Sequence, residues 1–245
     1  MKIVFLSVGE AFDKNFANTS VLIQVKSKIL LDCGYSVPQI FWKYNTDPNF
    51  LDGIFISHFH ADHYFGIPPL LLRMWEDGRN KPLTLIGRNS LKKQIFKLME
   101  MGFRNLDEKL ENIIRFLEVK NRIKFNELCF EVASSDHSVN NFAVKIFSDD
   151  KSVCYSGNGM FNDETISLYE NSDLVIHECY TIDKRIRGHA NLMDLINLSR
   201  MSNIKRLALL HLNRKARKEK EKIEQIIRQS GLSIFLPEPL ETINI

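Results

Sequence analysis

One short segment constrains this chain more than any other: FISHFHADHYFG, residues 55–66. It places His58, His60, Asp62 and His63 within six positions, directly behind a short apolar run. The apolar run predicts a buried strand, and the residues that follow it predict a turn into a helix. Imidazole and carboxylate groups are the ligands that zinc and similar divalent ions favour. The segment therefore predicts a strand that ends at a metal site.

The two halves of this segment are expected to face two neighbouring points. Alternate side chains of an extended segment lie on the same side, so His58 and His60 can point together. Asp62 and His63 follow at the turn into the helix and can face a second point. The local backbone is too short to complete either metal shell, so further ligands must come from elsewhere in the chain.

His137 and His211 are the candidates for these further ligands, because each lies at the end of a predicted strand. The first predicted set is His58, His60 and His137, and the second is Asp62, His63 and His211. A lone histidine at a strand end is more often an ordinary core or surface residue, and His177 and His189 start from that same expectation.

The composition is that of a globular protein with a sizeable core: 245 residues, 44% hydrophobic and 26% charged. No apolar run approaches the roughly 20 residues that span a bilayer, and the N-terminal segment favours a strand over a signal peptide. The cysteines are far apart and form no CxxC pair, which argues against a zinc knuckle or a disulfide framework. We expect one domain over residues 1–245, a cytoplasmic location and no membrane partner.

Ten short apolar runs predict strands, and helical spacing appears at about residues 65–77, 90–102, 191–201 and 214–230. Ser90 and Asn191 are placed to cap two of these helices. The mixture favours α/β or α+β layers over a helical bundle. Polar residues recur just after predicted strands, at Asp32, His58, His137, Asn158, Glu178 and His211. Residues placed in this way can meet at one edge of a sheet.

Several segments together resemble one known family. HFHADHYFGIPPLLLRM, DHSVNNFAVKI, YSGN, VIHECY, RGHANLMD and LALLHL resemble, in the same order, motifs of the metallo-β-lactamase superfamily, and most closely its ribonuclease Z-like branch of phosphodiesterases. The resemblance runs from Asn18 to about Arg214. It implies a four-layer αββα sandwich and a site for one or two divalent ions. Zinc is expected first, with manganese or iron as alternatives.

The resemblance also implies roles for individual residues. The six ligands match the family's two metal positions in the sets given above. Asp32 matches a carboxylate that orients a ligand histidine through its free N–H group. Glu178 and His189 match the pair that delivers a proton to the leaving group. Asp62 is expected to be both ligand and proton acceptor in a hydrolysis by metal-activated water.

Asn158 departs from the family pattern. The family has YxGD at this point, and the aspartate bridges both ions, whereas this chain has YSGN. An amide oxygen can bind one ion, but it is neutral and a poor bridge. The acidic ligands then supply one negative charge instead of two, so we expect the second ion to bind more weakly.

A second departure concerns the long arm by which many ribonuclease Z enzymes grip tRNA. Here the strands NFAVKIF and SVCYSG are joined by five residues, SDDKS, which predicts a tight hairpin. The hairpin leaves no room for an arm at this point, which argues against tRNA 3′ processing as the function.

Two basic clusters flank the predicted site: Arg187 and its neighbours precede His189, and Arg214 and Lys215 follow His211. Basic residues at a helix start are ordinarily only solvated. Beside a metal site, however, they favour an anionic substrate, because arginine and lysine bind phosphate oxygens. Arg187, Arg214 and Lys215 are therefore the predicted substrate-binding residues, and a phosphodiester, nucleotide or RNA is the predicted substrate.

The leading hypothesis is a metal-dependent phosphodiesterase that lacks the tRNA-gripping arm. Asn158 motivates an alternative, a degenerate binding or sensing protein of the same fold with a weakened site. A third hypothesis is a hydrolase of another ester class, such as thioesters or lactones. The basic clusters would contribute little to binding such substrates. A homodimer is suggested only by analogy with the family.

Overall fold

Two facing sheets form the centre of the computed structural model, which describes residues 1–104, 110 and 112–245. The first sheet contains β1 (Lys2–Ser7), β2 (Ser20–Gln24), β3 (Lys28–Leu31), β4 (Gly53–Phe55), β5 (Leu83–Gly87), β6 (Ile114–Glu118) and β14 (Glu241–Asn244). The second contains β7 (Arg122–Phe125), β8 (Leu128–Ser135), β9 (Asn141–Ser148), β10 (Lys151–Tyr155), β11 (Leu174–Glu178), β12 (Leu207–Leu210) and β13 (Ile234–Phe235).

Both sheets are mixed and have a related strand order. The first runs β14-β1-β2-β3-β4-β5-β6, and the second runs β13-β12-β11-β10-β9-β8-β7. In the first sheet the strands from β14 to β3 are antiparallel and those from β3 to β6 are parallel. In the second, β10 to β13 are parallel and β7 to β10 are antiparallel.

Helices cover the outer faces of both sheets. On the first sheet lie α1 (Val37–Tyr44), α2 (Ala61–Tyr64), α3 (Ile67–Glu76) and α4 (Leu91–Gly102), and on the second α5 (Asp163–Tyr169), α6 (Leu192–Met201), α7 (Arg214–Lys218) and α8 (Lys220–Ser230). Three apolar clusters fill the three interfaces between these four layers. The αββα sandwich that the sequence predicts is therefore confirmed.

Strand β1 illustrates why the central strands are almost continuously apolar. Alternate side chains of a strand point to opposite faces. Ile3 and Phe5 consequently pack between the sheets, while Val4 and Leu6 pack against the helices. Both faces are covered, so both sets of positions must be apolar.

The predicted helices are confirmed, with some changes at their ends. The segment 214–230 is interrupted at Glu219 and forms α7 and α8. The Asn191 side chain accepts a hydrogen bond from the Asp194 N–H at 3.0 Å, as a cap should. Ser90 lies at the start of α4, but its side chain makes no capping bond. Helices α1 and α5 and strands β6, β7, β13 and β14 were not predicted.

The predicted hairpin between β9 and β10 is tight. Ser148 pairs with Lys151, so only Asp149 and Asp150 form the turn, and no arm is inserted there. All four cysteines are free thiols. Among the residues that the structure describes, no helix is both long and apolar enough to cross a membrane. The assignment of residues 1–245 to one domain stays a prediction.

Phe130 tests the packing between the sheets. It is fully buried, and its ring lies 6.4 Å from that of Phe55 on the opposite sheet. Phe130→Ala should lower the free energy of unfolding by about 3–5 kcal/mol, because it removes apolar contacts and leaves a cavity. Urea denaturation measures the change. Met201→Ala, at a side chain that is 87% exposed, is the control and should change stability by less than about 0.5 kcal/mol.

Candidate metal centre

Six of the predicted site residues meet at one edge of the sandwich, each at the end of a strand. Asp32 follows β3, His58 follows β4, His137 follows β8, Asn158 follows β10, Glu178 ends β11 and His211 follows β12. Contacts between side chains join them across the two sheets, as described below. The expectation that residues at strand ends would converge is therefore confirmed.

Unusual backbone conformations turn some of these side chains toward the site. Asp32 and His211 have positive φ angles of 57° and 56°, a left-handed conformation that non-glycine residues seldom adopt. Gly157, at φ 60°, lets the loop after β10 approach the loop after β4. A Cβ atom there would lie 2.7 Å from the Ser57 Cβ, so only glycine fits without displacement.

The first predicted set, His58, His60 and His137, forms a cluster of ring nitrogens. His60 Nδ1 lies 3.2 Å from His58 Nε2 and 3.2 Å from His137 Nε2. His137 Nδ1 donates to the Gly188 carbonyl at 2.8 Å, which leaves the lone pair of its Nε2 facing the cluster. Burial lowers the pKa of all three rings, that of His137 to about 4. Neutral rings that share one point provide what a divalent cation needs.

The second predicted set, Asp62, His63 and His211, lies beside the first. One carboxylate oxygen of Asp62 is 3.2 Å from His63 Nε2 and 3.2 Å from His211 Nε2. Burial would raise the pKa of Asp62, but hydrogen bonds to His211 and His63 hold that pKa far below its usual range. Asp62 is therefore ionised, as a metal ligand must be.

The pKa of His63 is also strongly shifted from its ordinary value. Burial would lower its pKa, but the carboxylates of Asp32 and Asp62 outweigh burial and raise it to about 10. Its Nε2 atom is buried and lies 3.2 Å from the Asp62 carboxylate. Without an ion the ring keeps a proton between two carboxylates, and a divalent cation would displace that proton.

The Asp32 carboxylate is buried beneath the two sets and accepts four hydrogen bonds from described residues. Its oxygens accept from the Ser57 N–H at 2.8 Å, the Ser57 hydroxyl at 2.7 Å, the Tyr155 hydroxyl at 2.8 Å and His63 Nδ1 at 2.7 Å. The last contact fixes the His63 ring so that Nε2 faces Asp62. This geometry is that of a carboxylate that orients a ligand histidine.

Asn158 lies next to the second set and is 3% exposed. Its Nδ2 is 3.4 Å from His211 Nε2, and its backbone N–H donates to Asn141 Oδ1 at 3.3 Å. Its Oδ1 is buried and has no hydrogen-bond partner among the described residues. An unpaired buried amide oxygen is costly in a closed core, but it fits a position that faces a cation.

Glu178 and His189 lie at the border of the site. His189 Nδ1 is 3.5 Å from Glu178 Oε1, a contact that is too long for a good hydrogen bond. Glu178 is held in place by the Ala190 N–H, which donates to it at 2.6 Å. His189 also lies 5.1 Å from the His137 ring, which places it directly beside the first set.

Three residues of the site were not predicted: Ser57, Tyr155 and Tyr180. Ser57 and Tyr155 bind Asp32, and Tyr180 stacks on His189 with ring centroids 4.4 Å apart. Each lies inside or next to a segment used for the family resemblance, but a serine or tyrosine beside a strand carries no metal-ligand signal. Their roles depend on contacts between distant segments.

The predicted basic residues lie along two different clefts. Arg187 lines a cleft of about 1190 Å³ together with His137 and His189. Arg214 and Lys215 line a smaller cleft of about 450 Å³ with Tyr180. Arg214 is also 3.4 Å from Glu10, which partly neutralises it. The three residues predicted to bind substrate are thus not gathered at one point.

Comparisons with known proteins agree with this geometry. A family model described as Anti-Pycsar protein Apyc1 matches residues 1–231. Ribonuclease Z of Methanothermobacter thermautotrophicus is 26% identical, over 96% of this chain and 92% of that protein. Ribonuclease Z of Methanosarcina mazei is 36% identical over 117 residues, but the match covers only 46% of this chain and 38% of that protein.

A solved structure with the same architecture is the metallo-β-lactamase fold protein YhfI from Bacillus subtilis. It superposes on this chain with a TM-score of 0.83 and 20% identity, and the match covers 99% of this chain and 98% of that one. At this level of identity the likeness shows the fold alone.

Asp32→Asn tests whether the buried carboxylate tunes the second set. The amide can no longer orient and polarise His63, so zinc affinity should fall by roughly 10–100-fold. Competition with a chromogenic chelator measures the affinity. Asp173→Asn is the control, because Asp173 is also buried and hydrogen-bonded but lies at the opposite end of β11. Unchanged zinc affinity in Asp32→Asn would contradict this role.

The histidines should make the metal-free protein sensitive to acid. The pKa of His137 is about 4 in the folded state against 6.5 for an ordinary histidine, so the unfolded chain binds more protons between these values. Stability should therefore fall as the pH drops from about 6.5 to about 4. In the presence of EDTA, His137→Asn should show a shallower decline of the melting temperature than the wild type. An equally steep decline would show that His137 titrates normally.

Proposed function

Because the chain belongs to the Anti-Pycsar protein Apyc1 family and to the ribonuclease Z-like branch of the metallo-β-lactamase superfamily, we propose that it hydrolyses phosphodiesters with the help of divalent ions. The observation that carries this proposal is the convergence of two three-residue ligand sets, each with its ligand atoms within 4.8 Å of one another. They lie beside His189, the proposed proton donor, and beside a cleft that Arg187 lines.

We propose that one ion is held by His58, His60 and His137, and the other by Asp62, His63 and His211, with Asn158 at the second position. The donor set of imidazoles with one carboxylate suits zinc best, and manganese or iron are the alternatives. When bound, such ions supply positive charge for the substrate oxygens and lower the pKa of water. Asp62 stays ionised, so it can orient the attacking water and accept its hydrogen bond.

His189 is the proposed proton donor to the departing oxygen. Its side chain is 19% exposed and lines the larger cleft, where a leaving group can reach it. Glu178 lies 3.5 Å from its Nδ1 atom and can orient the ring. Stacking on Tyr180 restricts the orientation of the ring. A proton held at this place can be transferred as the ester bond breaks.

The proposed substrate is a phosphodiester of nucleotide type. Arg187 lines the larger cleft, and its guanidinium can bind phosphate oxygens in a bidentate manner. The two-residue turn between β9 and β10 supports a substrate that needs no tRNA-gripping arm. A cytoplasmic location and a homodimer stay predictions.

Asn158 supports a second candidate function, a binding or sensing protein built on the same fold. Its neutral amide adds no charge to the site, so a second ion gains less there than it would from a carboxylate. Metal content separates the two functions. Less than one ion per chain and no turnover with added zinc or manganese would favour the binding protein.

His60→Ala should abolish zinc- or manganese-dependent hydrolysis of bis(p-nitrophenyl) phosphate, because it removes one of the three ligand nitrogens of the first set. Release of nitrophenol measures the rate, and metal content is measured on the same samples. Ser138→Ala is the matched control. The Ser138 hydroxyl lies 3.4 Å from His60 Nε2, and Ser138 lines the larger cleft, yet the variant should keep its activity. Unchanged turnover in His60→Ala would refute the proposed function.

A substrate panel then distinguishes the ester classes. It spans bis(p-nitrophenyl) phosphate, cyclic nucleotides, pre-tRNA, thioesters and lactones. We expect the wild type to cleave the phosphodiesters and Arg187→Gln to lose part of that activity. A preference for thioesters or lactones, unaffected by Arg187→Gln, would favour a hydrolase of another class.

A further inference from the structure

Asn158 differs from every other asparagine in the chain because a glycine follows it. In an Asn-Gly sequence the glycine amide nitrogen can attack the side-chain carbon of the asparagine. Glycine permits this attack most readily because it has no side chain to hinder the approach and its backbone is the most adaptable. Asn158, whose neutral amide leaves the metal centre short of one negative charge, therefore lies in the sequence most prone to convert asparagine to aspartate.

The local structure keeps the attacking nitrogen available. Within residues 1–104, 110 and 112–245, no acceptor receives a hydrogen bond from the Gly159 N–H. Gly159 has φ 121°, and a Cβ atom there would lie 2.5 Å from Ser135 Oγ, so the fold requires glycine at this point. The Asn158 Oδ1 atom likewise has no hydrogen-bond partner among the described residues, so none of them holds this end of the amide.

We propose that Asn158 is a deamidation site and that its conversion to aspartate completes the metal centre. This inference rests on the proposed function. In the first step the Gly159 nitrogen bonds to the Asn158 Cγ, the Cγ–Nδ2 bond breaks, and the nitrogen's proton leaves with ammonia. In the second step water opens the cyclic imide at the Cγ–N bond and returns a proton to the Gly159 nitrogen. The sum is amide plus water giving carboxylate plus ammonium.

The surroundings define what the new carboxylate would do. The Asn158 Nδ2 atom lies 3.4 Å from His211 Nε2, and the same nitrogen lies 3.2 Å from the Asp62 carboxylate. Conversion places a second carboxylate in this group, and the repulsion between the two acids is relieved when cations lie between them. The converted protein should therefore bind the second ion more tightly than the freshly made protein.

Peptide mapping by mass spectrometry tests the conversion directly. The purified protein is incubated at neutral and mildly alkaline pH, and the mass of each asparagine peptide is followed with time. The peptide that contains Asn158 should gain one dalton several-fold faster than those that contain Asn89 and Asn171. Both of these precede serine, and Asn171 is exposed, so they are internal controls for ordinary deamidation.

Zinc content, measured on the same samples, tests the consequence. It should rise with the converted fraction toward the value of Asn158→Asp, whereas Asn158→Gln should stay at the starting value. An Asn158 peptide that keeps its amide after the Asn171 peptide has converted overturns the inference. Conversion to isoaspartate with loss of zinc overturns it as well.

Asn158→Asp separates this inference from the proposed function. If the amide persists in the wild type while Asn158→Asp hydrolyses bis(p-nitrophenyl) phosphate, the inference fails and the proposed function stands. If the amide converts but Asn158→Asp gains neither zinc nor turnover, the proposed function fails, and so does the activating role of the conversion.

Discussion

The buried carboxylate of Asp32 joins more parts of this molecule than any other polar group described above. It has no exposed surface, and a buried charge is stable only when hydrogen bonds replace its water. Its four partners come from the loop after β4, from α2 and from β10 of the opposite sheet. Loss of one partner of a buried ionic group costs about 3–5 kcal/mol. The hydrogen bonds of Asp32 therefore hold the two sheets and the metal centre together.

The location of the site was predictable from the sequence because the polar residues lie where strands end. Apolar runs fix the strands, and the end of each run fixes where a loop begins. The segment from His58 to His63 then supplies two members of each ligand set. His137 and His211 could be added because they occupy equivalent positions on other strands. This part of the prediction needed only local patterns and the general rule for sheet edges.

Other parts of the site depended on contacts between distant segments. No local pattern shows that Tyr155 reaches Asp32 across the two sheets, or that Tyr180 stacks on His189. The basic residues were grouped by their proximity in sequence, but the fold separates Arg187 from Arg214 into different clefts. Helices α1 and α5 were missed because short helices next to loops give weak periodicity, and α5 depends on its Asn162 cap.

If the two ligand sets hold two divalent ions, the second should bind more weakly because Asn158 is neutral. Crystals grown with zinc, with diffraction measured on both sides of the zinc absorption edge, test it most directly. A strong anomalous peak is expected about 2.1 Å from the nitrogens of His58, His60 and His137. A weaker peak is expected between Asp62, His63 and His211. No peak in either set, at saturating zinc, would contradict the account.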